Sequence, residues 1–195
     1  AEPVQGAGGV IIPPDGYFEH IQKICNEFGI LFIADEVITG FGRTGNWFAS
    51  QTMDLKPDVV TLAKGLTSGY MPMSAVLVSD KIAEHLINEG GEFYHGFTYS
   101  GHPVSAAVAL ANLELIETEG LIEHVRDITA PYLGDAIKHL DSHPLVGETR
   151  SFGLLACIEL VQHKSGPVLF DPTGEVGTLC RDHAIKGGLM VRAVR

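Results

Sequence analysis

Three short apolar runs constrain the fold more than any other feature of the chain. Ile30–Ala34 (ILFIA), Asp58–Ala63 (DVVTLA) and Ser74–Val78 (SAVLV) are rich in branched residues and too short for helices. Continuous runs of this kind suit strands covered on both faces, as in an α/β sheet. The segment ahead of the first run reads as a helix. Asp15 stands where an N-cap belongs, Phe18, Ile21, Ile24, Cys25 and Phe28 keep helical spacing, and Gly29 sits at the C-terminal glycine position.

The later chain changes texture. His102 to about Glu119 is an alanine-dense helix, and Gly120 separates it from a second helix, Leu121 to about His139, that Pro131 should bend. Thr149–Val161 reads as a hairpin around Gly153, and Glu175–Lys186 as a helix leading into a final strand at Gly188–Arg195. A domain boundary is expected near residue 115, giving segments 1–115 and 116–195. Ala1–Gly6 resembles the exit from a strand and Gly188–Arg195 a strand cut in progress, so the sequence reads as a fragment of a longer protein.

Bulk properties narrow the function. With 195 residues, 45% of them hydrophobic, and a mean hydropathy of +0.17, the chain can bury a sizeable core. Its 13 basic and 24 acidic residues give a net charge of −11 without a basic cluster, which argues against nucleic acid as a partner. No apolar run reaches the ~18 residues of a membrane span and no signal segment is visible, so a cytoplasmic setting is expected. Cys25, Cys157 and Cys180 lack paired spacing and read as buried free thiols, neither disulfides nor a zinc site. His139 and His143 could share a helix face, but Pro144 marks a helix end there, and no metal is expected.

In open α/β sheets ligands gather at the carboxyl ends of the strands. Two apolar runs end in charge: Asp35 closes the first and Lys64 the second, 29 residues later, about the length of a crossover plus a strand. A strand-end lysine can form a Schiff base, and a carboxylate opposite can hold a pyridinium nitrogen protonated. Together they describe a pyridoxal-phosphate site. A surface ion pair fits the same two residues, so spacing alone leaves both readings open. The stretch Gly40–Gly45 spells G-x-G-x-x-G, but Glu36–Thr39 separates it from the strand and no helical pattern follows. It is a poor dinucleotide fingerprint. A mobile glycine loop pinned by Arg43 and Trp47 is the better expectation. Glu36 should point away from Asp35 if strand geometry persists, which disfavours a catalytic carboxylate pair.

Four longer stretches carry a resemblance: EPVQGAGGVIIPP (Glu2–Pro14), LFIADEVITGFGRTG (Leu31–Gly45), PDVVTLAKGLTSGYMPMSAVLVS (Pro57–Ser79) and GFTYSGHPVSAAVALANLELIE (Gly96–Glu117). In order and spacing they resemble the class III aminotransferases of fold type I, nearest to the ω-amino acid:pyruvate, amine and putrescine transaminases. The resemblance implies a PLP (pyridoxal 5'-phosphate) enzyme. The chain would be an α/β piece comprising the later part of the large PLP-binding domain and most of a smaller C-terminal α+β domain. It further implies that Lys64 bonds the cofactor and shuttles the proton, that Asp35 holds the ring nitrogen, and that Val37 packs on the ring face. Thr98, with the Phe97 backbone, would reach the cofactor phosphate of the neighbouring subunit in a homodimer. Ala7 would leave room beside the ring, and Arg192 would clamp the substrate carboxylate.

One departure is informative. Many relatives carry Gln at the position of Ile38, and its loss argues mildly against an ornithine- or γ-aminobutyrate-type enzyme. The N-terminal half that in relatives supplies a phosphate loop and a ring-stacking aromatic has no counterpart here, so the 195 residues alone should hold an incomplete site. The expected reaction is ping-pong transamination from an amine or ω-amino acid to pyruvate or another 2-oxo acid. The rivals are an aminomutase or decarboxylase of the same fold, a nicotinamide oxidoreductase resting on GFGRTG, and an inactive partial chain.

Overall fold

The computed structural model describes residues 1–166 and 168–194, which form two compact units. The first comprises residues 1–4 and 13–128, the second residues 5–12, 129–166 and 168–194.

In the first unit, helix α1 (Tyr17–Phe28) buries Phe18 against Phe32 and Leu55, with Ile21, Cys25 and Met53 packed around them. Its N-cap is Gly16 rather than the expected Asp15. Gly16 takes a left-handed φ of 78°, and its carbonyl accepts the His20 N–H at 3.0 Å, so the helix starts one residue later. Gly29 closes the helix as expected, with φ 65°.

The apolar runs become strands β1 (Ile33–Asp35), β2 (Val59–Leu62) and β3 (Ala75–Val78), with short helix α2 (Ala49–Thr52) in the β1–β2 connection. β1 and β2 are parallel, pairing Ile33 with Val59 and Asp35 with Thr61, while β3 runs antiparallel to β2. Ala1 extends the free edge of β1: its nitrogen donates to Ile33 O at 2.7 Å and its carbonyl accepts Asp35 N–H at 2.8 Å. The expectation of strands covered on both faces is not met by these residues. Ile33, Val76, Leu77 and Val78 are exposed, so neighbouring side chains of this chain cover only part of the sheet.

Helices α3 (Asp80–Asn88) and α4 (Pro103–Thr118) follow, the latter starting on a proline whose missing N–H costs nothing at a first turn. The predicted bent helix after Gly120 is instead three pieces: α5 (Leu121–His124), a wide π turn (Val125–Thr129) and α6 (Ala130–Lys138). Pro131 accounts for the break, because its ring clashes with the carbonyl four residues back and a π turn relieves that overlap. Residue 115 lies inside α4, which stays whole in the first unit. The two compact units part between Ile128 and Thr129.

In the second unit, β4 (Val146–Phe152) and β5 (Leu155–Leu160) form the expected antiparallel hairpin, turned at Gly153 with φ 61°. Arg150 holds it to the QGAGG turn: Nη2 and Nε donate to Gly9 O at 2.9 and 3.2 Å, and Nη1 donates to Glu148 and Glu159 at 2.5 and 2.8 Å. Helix α7 (Glu175–Lys186) forms as predicted. The final strand does not: residues 189–194 are irregular, and Arg195 lies outside the described residues. The three cysteines are free, but Cys25 and Cys157 are only half-buried and Cys180 is exposed, which corrects the expectation of buried thiols.

Candidate active site

Asp35 and Lys64 leave the carboxyl ends of two hydrogen-bonded parallel strands. Asp35 is the last residue of β1, and Lys64 follows β2 by two positions. The half-buried Asp35 carboxylate accepts the Val37 N–H at 3.1 Å, so one contact orients both residues. Lys64 is exposed and opens a tight 3₁₀ turn (Lys64–Leu66) with a left-handed φ of 44°. A β-carbon makes that conformation unfavourable, and it persists only where the surroundings over-determine it.

Two neighbours over-determine it. On one side stands Phe41, so close that a Cβ on Gly65 would fall 2.9 Å from Phe41 Cβ. On the other, Asn112 of α4 donates to Gly65 O at 2.8 Å and Leu66 O at 3.2 Å.

The glycine loop is built rather than loose. Phe41 N–H donates to Trp47 O at 2.6 Å and Gly42 N–H to Asn46 O at 3.2 Å, with left-handed turns at Phe41, Gly42 and Gly45. A Cβ on Gly45 would lie 3.1 Å from the Arg126 backbone. Backbone bonds and packing therefore shape this loop, with Trp47 contributing through its carbonyl.

Glu36 turns inward just after β1 ends. Fully buried, its carboxylate accepts the Thr39 hydroxyl at 2.5 Å and the N–H groups of Ala49 and Ser50 at 2.9 and 2.6 Å. It fastens the loop to the start of α2. Sequence reasoning missed this role. The signal was an acidic residue beyond a strand end with Thr39 three positions on, the spacing of a local side-chain hydrogen bond.

The remaining predicted residues fall in two places. Phe97 and Thr98 lie in an exposed turn of the first unit, where Phe97 N–H donates to Ser100 Oγ at 2.9 Å and Ser100 N–H to Phe97 O at 2.9 Å. Phe97 also meets His95 edge-on at 5.7 Å. Thr98 does not cap α4, whose N-cap is His102. Ala7 and Arg192 belong to the second unit, both exposed and outside regular strands.

A strand-end lysine beside a strand-end aspartate in an open α/β sheet fits the donor set of a pyridoxal-phosphate enzyme: an amine for the aldehyde carbon and an anion for the ring nitrogen. The family profile described as aminotransferase class-III matches residues 1–192, and the chain belongs to that family. It is 57% identical over 194 residues to a putrescine–pyruvate aminotransferase of Pseudomonas aeruginosa, covering 100% of this chain and 42% of that protein. It is 47% identical over 195 residues to a probable γ-aminobutyrate transaminase 3 of Oryza sativa subsp. indica, covering 98% of this chain and 38% of that one. Among solved structures, a thermostable (S)-enantioselective ω-transaminase from Thermomicrobium roseum superposes with a TM-score of 0.94 at 47% identity, over 100% of this chain and 43% of that chain. An ω-transaminase from Pseudomonas jessenii, solved in complex with PMP, gives 0.94 at 45% identity over 99% and 43%. The chain thus spans about two-fifths of the length of these relatives. Pyridoxal phosphate is the cofactor of the family. Among the described residues, no helix is long and apolar enough to cross a membrane.

Proposed function

We propose that this chain supplies the reactive lysine and the ring-nitrogen carboxylate of a transaminase that moves an amino group from an amine or ω-amino acid to pyruvate or another 2-oxo acid. One observation carries the reading: Lys64 and Asp35 stand at the ends of adjacent parallel strands in a chain of the class-III family. When bound, pyridoxal phosphate supplies the electron sink for bond breaking at the amine-bearing carbon.

The protein's own groups do the rest. Lys64 Nζ would hold the cofactor at its aldehyde carbon and would serve as the base and acid for the proton at the substrate's amine-bearing carbon. The Asp35 carboxylate keeps the ring nitrogen protonated, since a neighbouring anion favours the cationic form of a base. Val37, fixed by the bond from its own N–H to Asp35, packs on the ring face. Phe97 and Thr98 reach the phosphate of a neighbouring subunit in a homodimer or tetramer, Ala7 leaves space beside the ring, and Arg192 takes the substrate carboxylate.

The first unit is then the later part of a large cofactor-binding domain and the second most of a small C-terminal domain, in a cytoplasmic enzyme. The putrescine–pyruvate relative and Ile38 favour an amine:pyruvate preference within the family.

Borohydride reduction of a full-length chain carrying these residues and loaded with pyridoxal phosphate should label Lys64, and Lys64→Ala should abolish turnover with folding retained. A label recovered on another lysine would refute the assignment.

A further inference from the structure

We propose that Asn112 is the positioning residue for Lys64: its side-chain amide clamps the turn that aims the lysine. The inference rests on the reading of Lys64 as the cofactor-binding lysine. Between Lys64 and Gly69 the backbone is left-handed at three positions, Lys64 (φ 44°), Ser68 (φ 50°) and Gly69 (φ 79°), and two of these carry a β-carbon. Such a turn relaxes unless something outside it holds it. Its internal bonds, Leu66 N–H to Ala63 O at 3.1 Å and Thr67 N–H to Lys64 O at 3.3 Å, are those of an ordinary 3₁₀ turn and do not require a left-handed Lys64.

Asn112 adds what the turn lacks. Its Nδ2 donates to both Gly65 O and Leu66 O, the two carbonyls after Lys64, and its Oδ1 accepts the Ser68 hydroxyl at 2.6 Å. One amide therefore joins the start and the end of the strained stretch. The two carbonyls fix which end of the amide faces them, because a flipped Asn112 would set oxygen against two oxygens, and Oδ1 is thereby left to accept from Ser68. Asn112 sits on α4 among alanine and leucine (ALANLEL), a rigid support for the clamp.

Without Asn112, Lys64 can return to negative φ, which swings its Cα–Cβ bond and carries the amine away from its working position. The side chain of Asn112 bonds Gly65 O, Leu66 O and Ser68 Oγ, so its effect on Lys64 travels through residues 65–68.

The test uses a full-length chain and three variants. Asn112→Leu removes every bond. Asn112→Asp keeps the shape but replaces the donor with an acceptor facing two carbonyls. Ser68→Ala removes only the bond that ties the amide to the far end of the stretch. In the cofactor-free protein, amide exchange at Leu66, Thr67 and Tyr70 should quicken about tenfold or more in both Asn112 variants, and less in Ser68→Ala, while exchange in α1 and β2 is unchanged. In the loaded protein, the pH midpoint of the absorbance of the lysine-bound cofactor should move in the same order. Should Asn112→Leu fail to fold, Asn112→Asp and Ser68→Ala give the same reading. Local exchange and pH midpoint both equal to wild type, or exchange quickened uniformly across the first unit, would overturn the proposal and leave the function of Lys64 standing. A wild-type protein whose cofactor is trapped away from Lys64 would overturn both.

Discussion

Phe41 occupies the space that a side chain on Gly65 would need, with its Cβ only 2.9 Å from where a Cβ of Gly65 would stand. The contact joins the glycine loop to the residue after Lys64, and it is made by the fixed base of the aromatic side chain rather than by a flexible end. Gly65→Ala should therefore cost about 1–3 kcal/mol of stability through overpacking. Its effect on turnover should exceed that loss, because relief requires the Lys64 turn to move. In a double-mutant cycle, Phe41→Gly, which removes the crowding Cβ at a position whose φ of 59° suits glycine, should recover part of the Gly65→Ala penalty, measured by denaturant unfolding. Additive penalties would show that the two residues do not compete for that space.

Glu36 offers a second test in the same unit. Its buried carboxylate serves three donors, so Glu36→Gln, which keeps size but turns one acceptor into a donor, should destabilise by about 2 kcal/mol. Exchange at the amides of Ala49 and Ser50 should quicken first. Unchanged unfolding and exchange would mean that the loop does not depend on this anchor.

These two residues also show where sequence legibility ends. Strand runs, the Gly29 helix stop and the Gly153 hairpin were readable because each depends on neighbours in sequence. The 29 residues between Asp35 and Lys64 pointed to adjacent parallel strands, as observed, while spacing alone left the chemistry of the two residues open. The anchoring role of Glu36 was not legible because β1 ends at Asp35 and the chain then turns inward, so strand alternation says nothing of what its carboxylate meets. The expected strand at Gly188–Arg195 has the right pattern, yet pairing is non-local and no pattern reveals whether a partner is present. Asn112 and the Phe41–Gly65 contact were invisible for the same reason: each joins residues more than 20 positions apart.

Arg150 supplies a prediction on the second unit. Burial opposes its charge, but hydrogen bonds to Glu159 and Glu148 outweigh that and raise its pKa above the ordinary arginine value. A base with a raised folded-state pKa stabilises at every pH below its unfolded value and loses that contribution only as pH climbs through the folded one. The Arg150 charge should accordingly contribute throughout the working range, with no titration of its own below strongly alkaline pH. Arg150→Met should cost about 1–2 kcal/mol and free the QGAGG turn, read as faster amide exchange at Gln5 and Ile11, which bond each other across it. A stability loss confined to neutral pH would contradict the sign.

The exposed faces of β1 and β3 predict the behaviour of the 195 residues alone. Ile33, Val76, Leu77 and Val78 are 42–62% exposed, unusual for strands of this composition. Expressed alone, the chain should bind pyridoxal phosphate weakly, associate through these surfaces and show no transamination. Turnover comparable with that of a full-length relative would refute the expectation of an incomplete site.

Arg192 gives the sharpest functional test. It is exposed in an irregular segment, where an arginine ordinarily does nothing beyond staying solvated. In the proposed reaction it has a task in only one half of the cycle. A 2-oxo acid brings a carboxylate that a guanidinium can clamp with two charge-assisted hydrogen bonds, whereas an amine donor such as a diamine brings none. A side chain without a fixed partner can swing in for the first and out for the second. Arg192→Ala should therefore slow the oxo-acid half-reaction about tenfold to a hundredfold, the loss of one charge-assisted pair, and leave the amine half-reaction within about twofold. Stopped-flow measurement of the two half-reactions on the full-length variant separates the cases. Equal losses in both would make Arg192 a structural residue and place the carboxylate elsewhere.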